Sequence, residues 1–136
     1  MPINSRDKGA GGERELSKLL HSELGVKAVR NLEQCRGGGH DLDAPANTVL
    51  SGYAIEVKRL KSASHADLAR YWLQAVDQAN QAEKVPVLAY RVDRGEWLVF
   101  IPLSELNQAV FEDWHGFQWA AQITIEAFCC LVRGRV

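Results

Sequence analysis

The chain has 136 residues, a length that suits one compact domain with its own core. Apolar residues make up 46% and charged residues 24%, and no apolar run approaches the ~18 residues of a membrane span. The formal net charge of −1 argues weakly against a nucleic-acid partner, and the three cysteines (Cys35, Cys129, Cys130) lack the CxxC spacing of a zinc site.

The opening Met1 to Lys8 is polar and has no signal-peptide core, so free thiols and a cytoplasmic location are expected. Asn4 to Gly12 is glycine-bearing and reads as flexible. From Gly11 to Leu24 the leucines Leu16, Leu19, Leu20 and Leu24 recur at helical spacing, with Gly25 as the stop. Glu13 and Glu15 then fall in the first turn, where the helix dipole favours anions. Val26 to Leu32 is a short strand. Cys35 to His40 is a loop holding three consecutive glycines. Asp41 to Ala44 is a second strand, ended by Pro45, and Ala46 to Ser51 is a turn-rich connector.

Gly52 to Leu60 is the third strand. Ser64 is a candidate N-cap for a helix over Ala66 to Ala82. Leu68, Trp72, Ala75, Val76 and Ala79 share one face of it, and Arg70, Gln74, Gln78 and Gln81 another. Val85–Tyr90 and Trp97–Ile101 read as strands joined by a hairpin turn at Asp93–Glu96. Their continuous apolar character suggests central positions covered on both faces. A helix is expected from about Ser104 to before Gly116. The tail from Phe117 to Val132 suits a strand or a helix equally. The order predicts an α/β fold with a mixed sheet of about five strands flanked by helices.

The third strand carries Glu56 and Lys58 two residues apart, so both face one side. Charged residues on an apolar strand are rarely buried unless paired or bound to a metal. Charge is also unevenly spread: residues 1–61 hold ten Lys/Arg against eight Asp/Glu, and residues 62–136 hold six against nine. Three acids of the first segment, Glu13, Asp41 and Glu56, are candidate metal ligands, and a bound cation would leave that half distinctly basic. Asp41 and Glu56 on neighbouring strands could hold a Mg²⁺ ion, with the Val57 carbonyl as a further ligand. Glu13 could join directly or through a water. Lys58 could hold an attacking water or neutralise a phosphate. Together these are the parts that phosphodiester hydrolysis needs.

Five segments in order carry a resemblance. They are Lys8-Gly9 with Glu13-Arg14-Glu15-Leu16; Val29-Arg30; Gly39-His40-Asp41-Leu42; Ala54-Ile55-Glu56-Val57-Lys58; and Pro86-Val87-Leu88-Ala89. The set resembles the archaeal-type Holliday-junction resolvases of the PD-(D/E)XK nuclease superfamily, over about residues 8–102. Glu-x-Lys alone is a weak signal, and the ordered set is far more specific. The resemblance implies a restriction-endonuclease-like core in one domain spanning 1–136, with 103–136 as a C-terminal extension. It implies Asp41 and Glu56 as metal-binding carboxylates, Glu13 as the first-helix acid, Lys58 as the catalytic lysine, and Gln74 as a supporting polar residue for which Gln78 competes. It implies Mg²⁺ or Mn²⁺ as cofactor, branched DNA as substrate and a homodimer as the working form. Lys8, Arg14, Arg30, Arg36, Arg59 and Lys61 are candidate DNA contacts. Two features depart from the family: His40 stands before the aspartate, and the chain is less basic.

Each residue also has a plainer reading. Asp41, Glu56 and Lys58 could form a solvated strand face with an ion pair. Glu13 could be a dipole-stabilised helix acid. Asp43 fits a turn-flanking acid better than an auxiliary ligand. The tryptophans Trp72, Trp97, Trp114 and Trp119 fit a core or an interface better than base stacking. Two functional alternatives stand beside the resolvase: a restriction-type or flap-processing nuclease, and an inactive DNA-binding or assembly protein.

Overall fold

The computed structural model describes residues 5–30 and 41–134, with side chains from residue 11 onward in the first segment. Helix α1 spans Ser5–Leu24, followed by strands β1 (Val29–Arg30), β2 (Leu42–Asp43) and β3 (Tyr53–Leu60). Helix α2 spans His65–Ala82, followed by β4 (Val85–Val92) and β5 (Leu98–Pro102). Strand β6 (Ala120–Thr124) and helix α3 (Ile125–Arg133) complete the described chain. The strands form one mixed sheet in chain order. Only β3 and β4 run parallel, joined by α2, because a parallel pair needs a crossover and a helix is its usual form. The α/β class with helices flanking a mixed sheet is as expected, with six strands rather than about five.

The sheet separates two apolar clusters. On one face Tyr53, Ile55, Val57, Val87, Ala89, Val99 and Ile101 pack against Leu16 and Leu20 of α1 and Ile125, Phe128 and Val132 of α3. On the other, Leu88, Tyr90 and Phe100 pack against Trp72, Ala75 and Val76 of α2. Strands β4 and β5 are therefore central and doubly covered, which accounts for their unbroken apolar sequence. The hairpin between them turns through Arg94, whose φ of 64° is left-handed.

Helix α2 starts where the sequence marks it. Ser64 Oγ accepts from the Asp67 amide at 3.1 Å, and Asp67 Oδ2 accepts from the Ser64 amide at 3.3 Å. Helix α1 differs from the expectation: it begins at Ser5 and runs through the glycines expected to be flexible. Glu13 and Glu15 therefore lie mid-helix, and the dipole argument for them fails. Tertiary contact overrides the helix cost of glycine here. A Cβ on Gly12 would sit 2.5 Å from Arg59 Cγ, so a bare backbone lets α1 approach β3.

Two expectations for the C-terminal part are corrected. The α-helix expected from about Ser104 to before Gly116 is not formed: the chain makes 3₁₀ turns at Leu103–Glu105 and Phe117–Trp119, with irregular turns between. Asn107 Oδ1 accepts from the Ala109 amide at 2.9 Å, a local bond that competes with helix propagation. The undecided tail is both strand and helix. Residues 120–124 pair with β5, and Thr124 Oγ1 then accepts from the Ala127 amide at 3.1 Å to cap α3. The expected extension thus adds an edge strand to the sheet and a third helix to the α1 face. Among the described residues, no helix is long and apolar enough to cross a membrane. The glycine loop with Cys35, Arg36 and His40 lies outside the described residues.

Candidate functional site

Among the described residues, the buried charged side chains are Glu13, Asp41 and Glu56, exposed by 5%, 7% and 3%. These are the three acids singled out in the sequence. Burying a carboxylate is costly unless something compensates it, so three together mark a place where the fold keeps charge for use. All three line one cavity of about 300 Å³, with Val57, Lys58, Arg59, Leu60 and Tyr71.

Asp41 enters β2 and is tied to β3 twice. Its amide donates to the Ile55 carbonyl at 2.9 Å, and its Oδ2 accepts from the Val57 amide at 2.7 Å. The side chain replaces a ladder partner where β2 runs out. In a strand, a residue's N–H and C=O point to the same edge, so the Val57 carbonyl also faces the Asp41 side. Glu56 alternates with Ile55 and Val57 and so projects to the α2 face, as does Lys58. Lys58 Nζ lies 3.6 Å from Glu56 Oε1, and Glu56 Oε2 makes no hydrogen bond among the described residues. The Glu56 pKa is pushed from 4.5 up to about 9. Burial is the main cause, followed by the charge and hydrogen-bonding reach of Asp41, with Lys58 opposing. Asp41 therefore stands close enough to Glu56 to disfavour its charged form.

Glu13 comes from the opposite side of the sheet. Helix α1 packs on the Ile55 and Val57 face, so Glu13 reaches the cavity around the sheet edge. Its Oε2 accepts from Arg30 Nε. Among the described residues, no three His, Cys, Asp or Glu side chains stand close enough together to hold one ion. The sequence leaves Glu13 to join directly or through a water, and this spacing favours the second. Asp41 and Glu56 are adjacent, and Glu13 shares the cavity from across the edge.

The remaining candidates divide. Arg59 lines the cavity and reaches Asp93 Oδ1 at 3.4 Å, and Arg30 serves Glu13. Arg14 and Lys61 are exposed. The Lys8 side chain and all of Arg36 fall outside the described residues. Gln74 is exposed and does not line the cavity. Its competitor Gln78 is half-buried on the Tyr71 side of α2, and its Oε1 is buried with no partner among the described residues. At about 100° per residue, Gln78 falls roughly 20° from the Tyr71 direction around the helix and Gln74 roughly 60°. Asp43 pairs with Lys84 at 3.9 Å, in keeping with a structural acid. Glu15 accepts from Arg91 Nη1 and, at 2.9 Å, from Trp97 Nε1, which ties α1 to the β4–β5 hairpin. Trp72 is buried and donates to the His115 carbonyl at 2.8 Å. Trp114 is 39% exposed and packs at a tilt against Trp119, with ring centroids 4.4 Å apart. Tyr71 was not anticipated at the site. Its only sequence signal is its place on the same α2 stripe as Ala75 and Gln78.

The donor set at Asp41 and Glu56 suits a hard divalent cation. It consists of carboxyl oxygens, one of them buried with no hydrogen-bond partner among the described residues, and a backbone carbonyl alongside. Nitrogen and sulfur ligands are absent from the described lining.

Known proteins can be compared with this geometry. A family model described as "Phage putative PDDEXK endonuclease" matches residues 4–128. Protein D14 of Escherichia phage T5 is 27% identical over 120 residues, covering 77% of this chain and 75% of that protein. Among solved structures, Hjc, a Holliday junction resolvase from the archaeal hyperthermophile Archaeoglobus fulgidus, aligns with a TM-score of 0.48 at 22% identity, over 89% of this chain and 87% of that one. The family match spans the whole sheet and every acid of the cavity, and the chain belongs to this family of phage PD-(D/E)XK endonucleases.

Proposed function

We propose that this chain is an endodeoxyribonuclease that hydrolyses phosphodiester bonds in branched DNA, with four-way junctions as its substrate and Mg²⁺ or Mn²⁺ as its cofactor. The observation that carries the reading is the burial of three acids around one cavity beside a lysine. Preference for branched DNA rests on the ordered motif resemblance. The working form is a cytoplasmic homodimer that makes paired nicks.

Asp41 and Glu56, with the Val57 carbonyl, would hold the cation. Once bound, it would polarise the scissile phosphate and lower the pKa of a bound water. Asp41 is oriented by the Val57 amide, so its free oxygen is aimed before ligand arrives. Glu56 would hold the cation in its deprotonated form. Lys58 donates to the attacking water or to a phosphate oxygen and offsets charge that grows on the phosphate. Glu13, held by Arg30, orients a water at the cavity edge. Arg59 lines the entrance and contacts the phosphate backbone; exposed Arg14 and Lys61 add salt-dependent attraction.

The test is a labelled four-way junction, a linear duplex of the same sequence and a flap, each with and without Mg²⁺. The parent is compared with Asp41→Ala, Glu56→Ala and Lys58→Ala. Symmetric nicks across the junction that need Mg²⁺, and drop by about 10²–10³-fold in each variant, are expected. Equal cutting of linear duplex replaces the branched-DNA part with a restriction-type activity. An Asp41→Ala variant equal to its parent in every DNA assay marks an inactive binding protein.

A further inference from the structure

The Lys58 ammonium has two neighbours of opposite character. Glu56 Oε1 lies 3.6 Å away, and the face of the Tyr71 ring lies below it, with Nζ 5.0 Å from the centroid. Arg70 packs on the same ring at 5.1 Å, and its Nη2 reaches the phenol oxygen at 3.5 Å. Tyr71 also lines the cavity that holds the acids. We propose that Tyr71 is a positioning residue for Lys58, holding the ammonium over its ring so that it points into the cavity rather than collapsing onto Glu56. The inference rests on the reading of Lys58 as the group that acts at the phosphate.

The physical case begins with the lysine stem, which is flexible and leaves the amine free to find the nearest anion. Full contact with Glu56 would consume a carboxylate oxygen needed by a cation and an amine needed by a phosphate. An aromatic face attracts a cation through its quadrupole but does not take up the strong N–H donors as a carboxylate does. The ring thus holds the ammonium while leaving its protons for water or phosphate.

Both ends of the contact are firmly mounted. Lys58 stands on β3, paired with β4 along its length. Tyr71 stands on α2 beside Trp72, which is fully buried and anchored to the His115 carbonyl. The capping box at Ser64 fixes the start of the same helix.

The experiment uses the full chain as Tyr71→Phe, Tyr71→Leu, Lys58→Ala and Lys58→Ala/Tyr71→Leu. Mg²⁺-dependent cleavage of the labelled junction is measured below the melting temperature of every variant. Tyr71→Leu lowers kcat by about tenfold with KM for DNA nearly unchanged, and Tyr71→Phe restores most of the rate. In the Lys58→Ala background, Tyr71→Leu costs nothing further. In ¹H–¹³C correlation spectra of the free protein, the Lys58 Cε protons are shifted upfield by the ring in the parent and in Tyr71→Phe, and the shift disappears in Tyr71→Leu. A Tyr71→Leu enzyme at full rate, an equal loss in Tyr71→Phe, or an additive loss on Lys58→Ala overturns the inference. If Lys58→Ala itself cleaves normally, the role of Lys58 falls and this inference with it. If Lys58→Ala is inactive and Tyr71→Leu is not, the inference alone falls.

Discussion

Glu56 concentrates the energetics of the site in one side chain. Its folded pKa of about 9 lies above the ordinary 4.5, so the folded protein holds that proton more tightly than the unfolded chain does. The stability this contributes is complete below about pH 4.5 and is lost as pH rises through about 9. In chelator-treated protein, the melting temperature should therefore fall between pH 5 and pH 9. Glu56→Gln, which cannot ionise, should flatten that slope and melt higher than the parent at pH 8.5, by roughly 5 °C. Adding Mg²⁺ at that pH should raise the melting temperature of the parent and leave Glu56→Gln nearly unmoved. Parallel pH profiles for the two proteins would mean that the Glu56 carboxyl is not held in an apolar place.

Helix α1 makes two contacts with the sheet that a residue pattern does not advertise, one to β3 and one to the β4–β5 hairpin. At Gly12 an added methyl would meet Arg59 Cγ at 2.5 Å, on a stem too short to swing aside. Gly12→Ala should lower stability by about 1–2 kcal/mol in urea unfolding, although alanine is the better helix former. A gain instead would mean that α1 sits farther from β3. Glu15 is the second contact, serving Arg91 and the Trp97 indole. Glu15→Ala should cost about 1–2 kcal/mol, because the buried indole N–H loses its acceptor. The same change should weaken cleavage only as far as it loosens α1, and with it Glu13.

The sheet divides the protein into an α1/α3 face and an α2 face, and the site lies where β2 meets β3, with Asp41 and Glu56 in its lining. Helix α3 is integral to this arrangement. Phe128 is buried edge-to-face on Tyr53, with ring centroids 5.7 Å apart. Phe128→Ala should cost about 3–5 kcal/mol and lower the melting temperature accordingly. Charge is arranged on the same scale. The segment from 103 to 119 carries three acids and no Lys or Arg, while the basic residues concentrate in 1–61. DNA affinity should therefore fall steeply with salt, and Arg14→Ala or Lys61→Ala should each reduce the slope of log K against log salt by about one.

Local patterns carried much of this protein. Period-two alternation placed Glu56 and Lys58 on one face, apolar continuity marked β4 and β5 as central, and Ser64 announced the start of α2. Each is a short-range regularity that backbone geometry enforces wherever the chain folds. The ordered acids also identified the cavity, since few other reasons exist to keep three carboxylates in apolar surroundings. What escaped was set by contacts between distant segments. Gly12 is helical because Arg59 lies against it, and the 104–116 segment is not helical because Asn107 bonds its own backbone and no apolar stripe is buried. The tail became strand and then helix only through β5 on one side and α1 on the other. Whether Glu13 faces Glu56 directly or from around the sheet edge depends on which face α1 covers. No spacing along the chain encodes that choice, because it follows from how two apolar surfaces are shared between three helices.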